Sequence, residues 1–199
     1  MDGVLIPGGF GKRGTEGMIN TVKYVREHNI PFLGLCLGMQ IASIEFARDV
    51  LGYTDANSTE LNPDTKHPVI YLMPDQMGVV DMGATMRLGA YPCELTKGSL
   101  AEKLYKTDNI SERHRHRYEF NNAYKDEFKE HGMDVSGIYP KKGIAEIIEL
   151  KNHPFFIATQ AHPEFKSTLL NPHPLFVGFD KASNEHKNQR KLAEKNKAQ

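Results

Sequence analysis

Ile30-Pro31-Phe32-Leu33-Gly34-Leu35-Cys36-Leu37-Gly38 is an apolar run that ends on a cysteine set between two glycines. Its apolar residues are consecutive rather than alternate, which suits a strand covered on both faces, as in a parallel sheet. Upstream, Gly3-Val4-Leu5-Ile6-Pro7 is a second run of the same kind. Between them, Thr15 to His28 carries Met18, Val22 and Val25 at helical spacing, with Thr15 available as an N-cap and Asn29 as a stop. Strand, helix and strand make a βαβ unit. A second helix, Gly38 to Val50, follows the second strand directly, with Ile41 and Ile44 on its apolar side. The expected fold is α/β, a doubly wound and mostly parallel sheet with flanking helices. Val69 to Leu72, Ala145 to Leu150 and Phe155 to Thr159 read as further strands, and Asn121 to Glu130 as a short helix with Gly132 beyond its end. Val69 to Leu95, richer in Gly, Met and Pro, reads as an antiparallel excursion from the main sheet.

The 199 residues are enough for one domain with its own core. Twenty-five basic side chains balance 25 acidic ones, and that zero net charge argues against wholesale binding to nucleic acid or to an anionic membrane. Two cysteines, Cys36 and Cys93, form no CxxC pair, which fits a reducing, cytoplasmic setting without a disulfide framework or a cysteine-rich metal site. No apolar stretch approaches the ~20 residues of a membrane span. Met1 to Phe10 has no basic n-region of a signal peptide. Residues 183–199 are polar and basic, and are expected to form a solvated, partly disordered tail.

Gly34-Leu35-Cys36-Leu37-Gly38 has the G-x-nucleophile-x-G form of an elbow between strand and helix. Two readings fit the pentapeptide alone. The glycines can permit a tight turn that exposes the sulfur, with the helix N-terminus favouring thiolate, or Cys36 can be a small buried residue between two elements. Gln160-Ala161-His162-Pro163-Glu164 follows a predicted strand and supplies a base. At i and i+2 on an extended backbone, His162 and Glu164 share one side, so the carboxylate can hold the imidazole in a useful tautomer. Alone, the tripeptide is also an ordinary turn; beside the elbow it points to catalysis. The order Cys, His, Glu differs from the Ser, Asp, His order of hydrolases with the same elbow.

Pro7-Gly8-Gly9-Phe10-Gly11-Lys12-Arg13-Gly14 joins the first strand to the first helix, where free backbone N–H groups can bind an anion or an oxyanion. Gly9, Gly11 and Gly14 match G-x-G-x-x-G, yet the acidic residue that a dinucleotide site needs after the second strand is missing. Arg113-His114-Arg115-His116-Arg117-Tyr118-Glu119 reads as a strand with its three arginines on one face. Such a row suits a substrate carboxylate; a surface strand salt-bridged through Glu112 and Glu119 is the other reading.

Gly34-Leu35-Cys36-Leu37-Gly38-Met39-Gln40 together with His162-Pro163-Glu164 resembles the class I (triad) glutamine amidotransferases, whose fold is flavodoxin-like. Within that family, Pro7 to Gly14, Met82-Gly83-Ala84-Thr85-Met86-Arg87-Leu88-Gly89 and Arg113 to Asn121 are similar to the CTP synthase branch. The resemblance covers a domain over residues 1–182. It implies a glutaminase that hydrolyses L-glutamine and passes ammonia to a synthetase domain for amination of ATP-activated UTP. It implies Cys36 as nucleophile, His162 as general base and acid, and Glu164 as its orienting partner. Amides of Gly9 and Leu37 form the oxyanion hole, and Gly9, Leu37, Gln40, Glu60 and Arg117 bind the glutamine. The branch is further expected to form a homo-tetramer, to hold ATP, UTP and Mg2+ on the synthetase domain and none here, and to be activated by GTP.

The resemblance also implies a synthetase domain, and further strands and a helix of the glutaminase fold, ahead of Asp2. The chain is thus expected to lack the first strands of its fold and to be less stable and less active for it. Two other readings stand beside this one: a γ-glutamyl hydrolase or another synthetase's glutaminase from the same superfamily, and a silent module that only binds a synthetase partner.

Overall fold

In the computed structural model, which describes residues 1–72 and 86–197, the chain runs through β1 (Val4–Ile6), α1 (Thr15–Glu27), β2 (Phe32–Leu35), α2 (Leu37–Asp49), β3 (Asn57–Ser58), β4 (Pro68–Leu72), β5 (Arg87–Leu95), α3 (Leu100–Tyr105), β6 (Asn109–His116), β7 (Tyr118–Phe120), α4 (Lys125–Glu130), β8 (Met133–Tyr139), β9 (Ile144–Leu150), β10 (Phe156–Thr159) and α5 (Pro174–Lys197). Among the described residues, seven strands form the main sheet in the order β1-β2-β10-β9-β8-β5-β6, and β3-β4-β7 form a small second sheet. The expected βαβ unit is β1-α1-β2, with β1 parallel to β2. Strand β10 lies parallel on the other side of β2, with Leu35 and Thr159 in register at the same strand ends.

The continuous apolar runs have a direct cause. Successive residues of β2 point to opposite faces, and both faces are covered. Phe32 packs with Phe156 of β10, ring centroids 4.6 Å apart, and with Val22 and Val25 of α1 and Ile41 and Ile44 of α2. Leu33, Leu35 and Ile157 face the other way, against Ala101 of α3 and Leu175 of α5. A fully buried side chain of this size stabilises the fold by roughly 1.5 to 3 kcal/mol. Helix α2 is buried on every side from Leu37 to Ala47, because β4, β7 and α1 close around it.

Several expectations need correction. Among the described residues only β1, β2 and β10 are parallel in the main sheet; β10–β9, β9–β8, β8–β5 and β5–β6 are antiparallel, so the sheet is mixed rather than mostly parallel. The excursion is divided: β4 leaves for the small sheet, and β5 returns to the main one. The first half of the Met82 to Gly89 motif lies outside the described residues. Thr15 does not cap α1; Gly14 holds the N-cap position in left-handed backbone, and the Thr15 hydroxyl donates to the Lys12 carbonyl. The segment from 183 is solvated but helical, continuing α5 through Lys197. It is rich in helix formers, Arg190 pairs with Glu194 one turn on, and Arg190 also reaches Asp2.

Candidate active site

Cys36 stands between β2 and α2 with φ 48° and ψ −99°, a conformation L-residues rarely adopt. The glycines explain why the turn can be this tight. A Cβ on Gly34 would lie 2.8 Å from the Gly38 carbonyl, and one on Gly38 would lie 2.3 Å from the Ile6 carbonyl oxygen. The Cys36 amide donates to the Thr159 carbonyl at 2.8 Å, tying the elbow to the end of β10.

His162 comes three residues after that same strand end. Its amide donates to the Arg113 carbonyl at 2.8 Å, and its Nδ1 lies 2.6 Å from Glu164 Oε1. The pair meets through a 3-10 turn, Pro163–Phe165, rather than along extended backbone. Phe165 stacks on the imidazole with ring centroids 5.3 Å apart, while His162 Nε2 is buried with no hydrogen-bond partner among the described residues. A Cβ on Gly8 would be 2.7 Å from His162 Cε1 and 3.6 Å from Cys36 Cβ, so only bare backbone fits over the two. A Cβ on Gly9 would likewise lie 3.0 Å from Leu37 Cδ2.

Burial pushes the Cys36 thiol up to about 12, against the Leu37 backbone N–H and the Gln160 side-chain amide, which favour thiolate. The resting group is therefore a thiol, and desolvation outweighs the help expected from the helix N-terminus. Such a thiol needs a neighbouring base at the moment of attack.

A cavity of about 480 Å³ opens on the sulfur. Gly9, Cys36, Gln40, Glu60, Arg117 and His162 all line it; Leu37 and Glu164 stand behind Cys36 and His162. Gln40 is 5% exposed and donates from Nε2 to the Tyr118 carbonyl at 3.3 Å and to Gln160 Oε1 at 3.4 Å. Arg115, one of the three arginines expected to form a carboxylate-binding row, also reaches the cavity, as does Phe10, 90% exposed, to which no role was assigned. Among the described residues, no three His, Cys, Asp or Glu side chains converge to hold a metal ion, and no helix is long and apolar enough to cross a membrane.

The wall that carries Arg115 and Arg117 is supported from behind. Along β6, Arg113 and Arg115 face solvent while His114 and His116 are buried. His114 Nε2 lies 3.1 Å from Glu146 Oε2, His114 Nδ1 lies 2.8 Å from His116 Nε2, and His116 Nδ1 lies 3.2 Å from the Tyr118 carbonyl. Arg87 Nη1 lies 2.8 Å from Glu146 and 3.3 Å from Glu119, under the Tyr91 ring. Burial, with Arg87 adding to it, lowers His114 to about 3, and burial holds His116 well below its usual range. Burial also raises Glu119 to about 8 and Glu146 to about 7, although Arg87 opposes this. Glu112 and Glu119 are thus not surface partners of the arginines: Glu112 is buried 2.9 Å from His173. The R-H-R-H alternation was the available signal for buried histidines; Arg87 and Glu146 carried none.

The sequence model of the family "Glutamine amidotransferase class-I" matches residues 1–182. The chain belongs to the class-I glutamine amidotransferases. It is 59% identical to CTP synthase of Flavobacterium psychrophilum over 189 residues, covering 95% of this chain and 35% of that protein. It is 55% identical to CTP synthase of Bacillus subtilis, again over 189 residues, with the same coverage of both. The chain therefore spans about a third of the length of these relatives. Among solved structures it is similar to the glutaminase domain of Trypanosoma brucei CTPS with bound acivicin, at 39% identity and a TM-score of 0.88, covering 92% of this chain and 71% of that one. The mixed sheet with flanking helices is thus the class-I amidotransferase fold. A protein of Thermoplasma acidophilum assigned to GMP synthase, 17% identical with a TM-score of 0.61, covering 96% of this chain and 77% of that one, shares the fold alone.

Proposed function

We propose that this class-I amidotransferase chain hydrolyses L-glutamine and that Cys36, His162 and Glu164 carry the reaction. The observation that supports this most is the cavity onto which the Cys36 sulfur, the imidazole and the Gly9, Gln40, Glu60 and Arg117 positions open together. The Cys36 thiol passes its proton to His162 Nε2, which Glu164 leaves free by engaging Nδ1, and the sulfur attacks the carboxamide carbon. The oxyanion is held by the Gly9 and Leu37 amides. His162 returns the proton to the leaving nitrogen, giving ammonia and a γ-glutamyl thioester. Water, deprotonated by His162, then cleaves the thioester to glutamate and restores the thiol. Arg117 holds the substrate carboxylate, Glu60 its ammonium and Gln40 its side chain.

Identity to CTP synthases across nearly the whole chain supports a further step: the ammonia serves a synthetase unit that aminates UTP. ATP, UTP and Mg2+ belong on that unit, GTP activates the assembly, and the assembly is a cytoplasmic homo-tetramer. The experiment is direct. Purified chain is given L-glutamine, and glutamate and ammonia are measured, with 6-diazo-5-oxonorleucine as an active-site label. Turnover that is lost in Cys36→Ala, with the label on Cys36, is expected. Labelling at Cys93, or equal turnover in Cys36→Ala, overturns the reading.

A further inference from the structure

We propose that Gln160, outside the triad and the expected glutamine contacts, is a positioning residue that holds the Cys36 sulfur and connects it to the substrate wall through Gln40. The inference rests on the reading of Cys36 as nucleophile and adds a device to it. Gln160 is fully buried at the end of β10, and its backbone N–H donates to the Glu146 carbonyl at 2.8 Å. Its side-chain Nε2 lies 3.6 Å from Cys36 Sγ, and its Oε1 accepts from Gln40 Nε2 at 3.4 Å.

The orientation of this amide is not arbitrary. The chain of contacts begins at the Tyr118 carbonyl, which can only accept. Gln40 must turn its NH2 group to that carbonyl, and the same NH2 reaches Gln160, so Gln160 must present its oxygen there. Its own NH2 group is then left facing the sulfur. A backbone acceptor at one end thus fixes a donor at the other. A donor at the sulfur favours thiolate over thiol in a site where burial does the reverse. Because Gln40 lines the cavity, a ligand that displaces its amide also alters what Gln160 offers to Cys36.

The test uses the purified chain with Gln160→Met, similar in size but without a donor, and Gln160→Glu, isosteric but acceptor-only when ionised. Thermal melting checks the fold of each. Iodoacetamide alkylation of Cys36, followed by peptide mass spectrometry between pH 7 and 9, reads thiolate formation without any substrate. The expected result is alkylation of Cys36 roughly tenfold slower in both variants, as for loss of a charge-assisted bond, with kcat reduced and KM for glutamine changed less. A purely structural residue lowers the melting temperature and leaves the alkylation rate of the folded protein unchanged; that result in whichever variant folds overturns the proposal, as does loss of fold in both. If wild type hydrolyses no glutamine, the alkylation comparison still decides the role of Gln160, so the two readings fail separately.

Discussion

His162 Nδ1 and Glu164 Oε1 stand 2.6 Å apart, and the opposite ring nitrogen is buried without a partner among the described residues. The carboxylate accepts a hydrogen bond from Nδ1–H, which leaves Nε2 as the unprotonated ring nitrogen facing the cavity. Glu164→Ala is expected to lower kcat for glutamine by at least about tenfold, because a freely rotating imidazole spends its time in unproductive tautomers and orientations. Equal kcat in the variant and wild type, by coupled assay of glutamate release, contradicts the assigned role.

Arg117 lines the cavity where Arg113 does not. Removing a charge-assisted contact to a carboxylate costs roughly 1.5 to 3 kcal/mol, or about tenfold and more in kcat/KM. Arg117→Ala should show this loss mainly in KM, and Arg113→Ala should not. Steady-state kinetics of the two variants side by side distinguish them.

The buried group around Arg87 predicts how stability depends on pH. Glu119 and Glu146 keep their protons in the folded chain up to about 8 and about 7, against 4.5 for an ordinary glutamic acid. Between those values the folded state binds protons that the unfolded state has lost, so raising the pH favours unfolding. His114 works the other way: lowered from 6.5 to about 3, it adds stability as pH rises through that window and nothing more above it. Above about pH 6.5 only the carboxyl contribution remains. The melting temperature is expected to fall from about pH 6.5 to about pH 8.5, and Glu119→Gln should flatten that slope. A wild-type melting temperature that rises over this range contradicts the assignment.

Two glycine substitutions should move stability in opposite directions. Gly38→Ala places a methyl group 2.3 Å from the Ile6 carbonyl oxygen, and overpacking against backbone should cost ~3 kcal/mol here. Gly17→Ala, in the exposed first turn of α1 with nothing within 4 Å of the new methyl, should stabilise by about 0.5 kcal/mol. Urea denaturation of both variants measures the difference.

Much of this was readable in the sequence because it is local. The elbow announces itself through Gly34, Cys36 and Gly38, and the strand, helix and strand around Thr15 to His28 through apolar spacing. What escaped is non-local. Strand direction beyond β10 depends on how β5 to β9 fold back, and no local residue pattern encodes an antiparallel pairing with a distant segment. Gln160 sits inside a quoted motif, yet its two partners lie 120 and 124 residues upstream, so only the fold brings its amide to the sulfur. The C-terminal segment looked disordered because it lacks apolar residues, whereas helix propensity and its pairing with Asp2 were enough to order it.

Cys36 and His162 hang from the same ends of two neighbouring parallel strands, with Leu35 and Thr159 locked in register. The distance between the proposed nucleophile and its proposed base is therefore set by the strand spacing of the sheet, roughly 4.8 Å, plus two short turns. Such a pair cannot be switched off by separation without tearing the sheet. Anything that lowers turnover while the sheet stays intact is then to be sought across the cavity, where a slight tilt of the arginine-bearing β6 would leave the pair assembled but deprive it of a correctly seated guest.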